Sequence, residues 1–168
     1  IRSGDCDDST ALLASLLESS GISTAIMTSP GHVFLAFDTA EPKENGWMFE
    51  SDGYVSITHG GTIWIPVETT VLERGFLNAW KTASGLVLDN PNQIEFLPVA
   101  EERNHFPPLP LPVSALTVVE PQPTEILRLL EESMENTTAL LYSSGVQKLA
   151  EQMRNVRGRR QLKLRNQL

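Results

Sequence analysis

The sequence predicts an α+β fold with a helical C-terminal extension, and three observations carry that prediction. Leu12, Leu13, Leu16 and Leu17 repeat on one face of a helix. Two apolar runs, His32–Asp38 and Thr62–Glu68, have strand length and are bounded by turn residues. Six of the 11 prolines fall between Pro107 and Pro123, which separates a mixed N-terminal part from a helical C-terminal part.

The first helix follows Gly4-Asp5-Cys6-Asp7-Asp8. Ser3 or Asp5 suits the N-cap, the following acids suit the helix dipole, and Gly21 suits the C′ position. Cys6 therefore falls in the first turn. Ile22–Met27 reads as a strand, and Pro30-Gly31 as a tight turn. His32–Asp38 is continuously apolar between its two ends, as a central strand is. Trp47–Glu50 reads as a third strand, after a polar loop with Pro42 and Asn45-Gly46. Ser51-Asp52-Gly53 and His59-Gly60-Gly61 read as turns, and Thr62–Glu68 as a fourth strand. Residues 72–84 carry Leu72, Phe76, Ala79, Trp80 and Ala83 on one helical stripe. Pro107–Pro112 should be extended, near polyproline II. A helix pair is expected over 124–135 and 139–154. The domain reading is a core over 1–100, a proline-rich connector over 101–123 and a helical extension over 124–168.

Composition excludes several classes. The 168 residues hold 21 acidic and 13 basic side chains, net −8, which argues against a nucleic-acid protein. A single cysteine excludes an intramolecular disulfide and a multi-cysteine zinc site. No apolar run reaches the ~18 residues of a membrane span. Residues 1–150 hold 7 basic and 20 acidic groups, and residues 151–168 hold 6 basic and 1 acidic. The basic tail reads as a solvated helix face ahead of a nucleic-acid or anionic-membrane site. The chain begins at Ile1, without a methionine, and reads as a piece of a longer protein.

Cys6 is the first candidate for chemistry. A thiolate is the reactive species and a helix N-terminus favours it. Asp5, Asp7 and Asp8 disfavour it, so a reactive Cys6 needs a cationic partner, most naturally a histidine. A lone cysteine is otherwise a small buried hydrophobe. Of the three histidines, His105 borders the proline segment and His59 sits in a surface turn. His32 opens an apolar strand, where it can face a helix N-terminus. A third group orients the imidazole in such pairs. Asp38 lies six residues along the same strand, about 20 Å away at ~3.3 Å per residue. Among Glu50, Asp52 and Glu68, Asp52 has a turn to explain it. Glu68 ends a buried strand and fits best if that strand neighbours the one from His32; a histidine with no orienting acid is the remaining alternative.

These residues also carry a resemblance. Gly4-Asp5-Cys6-Asp7-Asp8, a leucine helix, Pro30-Gly31-His32-Val33-Phe34 and then Trp64-Ile65-Pro66-Val67-Glu68-Thr69-Thr70 resemble, in order, the three motifs of the transglutaminase-like superfamily. The likeness covers about residues 3–85. It implies a papain-like core, with a nucleophile helix packed on an antiparallel sheet. It implies Cys6 as nucleophile, His32 as general base and acid, and Glu68 as orienting carboxylate where aspartate is usual. It implies no cofactor, and a protein or peptide substrate opened through an acyl-enzyme as in a cysteine protease or transglutaminase. The superfamily's oxyanion donor lies upstream of the cysteine, and only five residues precede Cys6. Bacterial members continue into tetratricopeptide-type repeats, which makes the C-terminal helices a place for protein partners and leans toward the bacterial cell envelope.

Two other readings stand beside the enzyme. One is an inactive domain of the same fold, used as a binding or scaffold module. The other is a metal site of Cys6, His32 and a carboxylate, for which the chain has few soft ligands. The loops 39–46 and 51–61 are the expected cleft walls.

Overall fold

A computed structural model describes residues 4–49, 51–107 and 122–165, with the backbone alone at 144, 152 and 155–165. Ser3, Glu50 and most of the proline segment expected to be extended lie outside the described residues.

The architecture is α+β. Helix α1 (Cys6–Ser19) precedes strands β1 (Thr24–Ser29) and β2 (His32–Pro42). A 3-10 helix (Lys43–Met48) leads to β3 (Ile57–His59) and β4 (Thr62–Val67). A second 3-10 segment (Thr69–Arg74) precedes α2 (Phe76–Asp89). Strand β5 (Glu95–Pro98), the short α3 (Val99–Glu102) and the long α4 (Pro123–Arg165) follow among the described residues. The strands form one antiparallel sheet in the order β3-β4-β2-β1-β5. The strand that begins at His32 is the middle one, as its continuous apolarity required.

Alternation along the strands builds two apolar clusters. Ala25, Met27, Phe34, Ala36 and Trp64 pack with Ala83 of α2. Ile63, Ile65 and Val67 pack with Ala79 and Trp80 of the same helix. Leu13 of α1 and Leu140 and Leu141 of α4 lie against this second cluster. Trp80 also donates its indole N–H to the Val55 carbonyl at 2.7 Å, so a large buried ring leaves no polar atom unpaired.

Several elements differ from their sequence reading. Trp47 and Met48 end a 3-10 helix and are not in a strand. Phe49 caps that helix by donating its N–H to the Gly46 carbonyl, and it buries its ring in the second cluster. Asn45-Gly46 thus starts a compact turn, and the apolar run packs sideways without pairing. The helix expected from residue 72 begins at Phe76, because Gly75 has φ +88° and breaks the stripe. The expected helix pair is one helix. Asn136-Thr137-Thr138 holds neither proline nor glycine, and the Thr137 hydroxyl donates back to the Ser133 carbonyl within the helix.

Candidate active site

Antiparallel pairing of β2 with β4 decides where the site residues fall. Leu35 pairs with Val67, so the first residue of β2 and the residue after β4 share one edge of the sheet. Those residues are His32 and Glu68. The β1–β2 turn fixes the histidine. Ser29 pairs with His32 across Pro30-Gly31, and Gly31 sits at φ +73°, a backbone conformation that glycine tolerates without penalty. The imidazole then stacks on Phe34, two residues along the same face, with ring centroids 6.2 Å apart.

Glu68 is 2 % exposed, and every carboxylate contact it needs is present. The His32 Nε2–H donates to Oε2 at 2.5 Å. The Thr70 hydroxyl and backbone N–H donate to Oε1 at 2.6 and 2.9 Å. Its own N–H donates to the Ala79 carbonyl, which ties the edge to α2. Burial on its own would raise the Glu68 pKa. The hydrogen bonds from His32 and Thr70 and the histidine's charge outweigh it and hold the carboxyl below 4.5. A carboxylate one methylene longer than aspartate therefore reaches the imidazole. With Glu68 on Nε2, Nδ1 is the ring nitrogen left to exchange a proton.

Cys6 stands at the first position of α1. Asp5 is the N-cap, and its carboxylate accepts the Asp8 N–H at 3.3 Å. The Ser9 hydroxyl and N–H both donate to the Asp5 carbonyl. The half-buried Cys6 thiol donates to Asp7 Oδ1 at 3.3 Å. It makes no hydrogen bond to His32. One helical turn further, Thr10 is buried, and its hydroxyl meets that of Thr69 at 3.0 Å. Thr69 directly follows Glu68. The helix that begins at Cys6 is thus pinned beside the acid of the His32–Glu68 pair. Thr10 escaped the sequence reading; its one signal was a polar residue one turn after Cys6 on the Cys6 side of α1.

The other candidates lie elsewhere. Asp52 occupies a turn closed by a Ser51–Tyr54 bridge. Asp38 accepts the Ala40 N–H and so stabilises the positive φ of that residue. His59 is only half exposed, packed against Trp64 and Phe96 with ring centroids at 5.8 and 4.8 Å. It is part of an aromatic cluster and not a free surface residue. No group of three or more metal-ligating side chains gathers among the described residues. Two parts of the expected cleft walls lie away from this pair. Residues 39–46 and the 59–61 turn sit at the far ends of β2 and β4, opposite the His32–Glu68 edge. What borders that edge is the β1–β2 turn and the Thr69–Arg74 segment. No described helix is long and apolar enough to cross a membrane.

Comparison with known protein families, curated proteins and solved structures finds no match to this chain.

Proposed function

We propose that the chain is a transglutaminase-like cysteine peptidase or acyltransferase with a papain-like core. In this reading Cys6 is the nucleophile, His32 the proton carrier and Glu68 the orienting acid. The observation that carries the reading is the bond of His32 Nε2–H to a buried, fully hydrogen-bonded carboxylate. That arrangement fixes the ring and stabilises an imidazolium, which is what a general base requires.

The reaction runs in two halves. The thiol exchanges its contact with Asp7 for one with His32. Nδ1 takes the thiol proton, and the thiolate attacks the carbonyl carbon of a peptide or glutamine-type amide. The Cys6 backbone N–H, one of the unpaired donors of a helix N-terminus, faces the developing oxyanion. His32 passes its proton to the leaving amine, and the C–N bond breaks to leave a thioester. Water or a second amine, deprotonated by His32, then releases the acyl group.

The test is thiol reactivity. A working pair alkylates rapidly with iodoacetamide at pH 6, and His32→Ala removes the effect. Alkylation that follows an ordinary thiol titration, with the reference value of about 8.5, overturns the reading.

The Cys6–Asp7 contact favours a second reading, an inactive domain that serves as a binding module. It predicts the slow, His32-independent alkylation just described.

A further inference from the structure

We propose that two copies of this chain associate through α4 as an antiparallel helix pair. The inference does not rest on any chemistry at Cys6.

Leu141 and the buried Gly145 turn the middle of α4 toward the core, where Gly145 gives Trp47 room to lie against the helix. A different face carries Ala139, Tyr142, Val146, Leu149 and Met153, all exposed; Tyr142 is 74 % exposed. Their spacing is 3, 4, 3 and 4 residues, the a/d repeat of a coiled-coil seam. That seam lies about 100° around the helix from the core side. It borders an apolar groove of about 400 Å3 between α4 and Trp47 and Met48.

Charge names the occupant. Residues 123–141 carry 4 acidic and 1 basic side chains, and residues 142–165 carry 7 basic and 1 acidic. A parallel pair sets like against like. An antiparallel pair with Val146 level with the partner's Leu149 sets Tyr142 level with the partner's Met153. The same register brings Glu135 level with position 160 and Glu132 level with position 163 of the other copy. The sequence has Arg160 and Lys163 there. The apolar seam is thus flanked at both ends by opposite charges, which select orientation and register.

Each core packs on the middle of its own α4, at Leu140, Leu141 and Gly145. In the antiparallel register residues 149–157 of one copy come level with residues 138–146 of the other, the stretch that borders the Trp47 groove. In this register residues 130–165 of the two helices overlap over about 54 Å, and a strip about 10 Å wide gives roughly 540 Å2 per partner, a small interface suited to concentration-dependent association.

The experiment is sedimentation of the 168-residue chain across a range of concentrations reaching about 100 μM, since association depends on protomer concentration. The expected mass is twice 18.5 kDa, falling to the monomer on dilution. Val146→Lys, at an exposed position, gives a monomer of unchanged far-UV circular dichroism. Glu132→Lys with Glu135→Arg weakens the dimer at least tenfold. Adding Arg160→Glu and Lys163→Glu to that same chain restores it. A chain that stays monomeric throughout overturns the proposal. So does a dimer indifferent to Val146→Lys, or one that the charge inversion leaves intact.

Discussion

The hydroxyls of Thr10 and Thr69 meet at 3.0 Å in the interior, 59 residues apart in sequence, and join the cysteine helix to the turn that follows Glu68. Removing one partner leaves a buried hydroxyl unsatisfied, which costs about 1–3 kcal/mol. Thr10→Val should therefore lower stability in urea by about that amount. Replacing both by valine removes the orphan, and the double variant should recover part of the loss. Strictly additive effects of the two single changes would show that the hydroxyls are not coupled.

Glu68 makes stability depend on pH in a defined direction. Its folded pKa lies below the reference value of 4.5, so the folded state holds its proton less tightly than the unfolded chain does. The ionised contacts are fully stabilising above 4.5, and their contribution is lost as pH falls below that value. Native protein and Glu68→Gln should therefore differ in urea midpoint near neutrality and converge in acid. A gap that widens below pH 4.5 would reverse the assigned sign.

Gly31 sets up the histidine through its backbone alone. A Cβ there meets nothing within 4 Å, so Gly31→Ala tests only the φ of +73°. Holding an L-residue in the left-handed region costs roughly 1–2 kcal/mol. The expected result is a stability loss of that size, with no loss from alanine at Gly85, which lies inside α2. An unchanged Gly31→Ala variant would mean the turn can re-form at negative φ.

Gly145 is a close-approach glycine of the opposite kind. An added Cβ lies 3.3 Å from Trp47 Cζ3, tight contact with a ring that is itself 42 % exposed and can give way. Alanine in a helix interior gains roughly 0.5–1 kcal/mol over glycine. Gly145→Ala should keep part of that gain, whereas Gly145→Leu should push the indole outward, lower stability and red-shift the tryptophan emission. Trp64 and Trp80 are buried and report no such shift.

Local chemistry made α1, the Pro30-Gly31 turn and the two central strands legible from sequence. Asp5 caps, the leucines repeat, and the apolar runs have strand length. The pairing of His32 with Glu68 was legible too, since both end apolar strands and only strand adjacency remained to be supplied. What was not legible depends on distant partners. The Trp47–Phe49 run could pair or pack, and its choice is decided by Ile63 and by α4 nearly a hundred residues on. Four-residue β5 has no periodicity to read; it exists because β1 offers an edge to pair with. Thr10 is buried because the fold sets Thr69, 59 residues on, against it. The thiol's contact with Asp7 is a side-chain rotamer, which sequence does not encode.

The register of β2 against β4 has a consequence for how the site is assembled. His32 and Glu68 are delivered by neighbouring strands whose side chains alternate between faces. A slip of one residue in that ladder would turn Glu68 to the reverse side of the sheet, even where the backbone bonds re-form with new partners. The imidazole–carboxylate bond is therefore a proofreading mark on the sheet itself. It forms in one alignment of the strands and is absent from the next, so it reports the correctly registered fold.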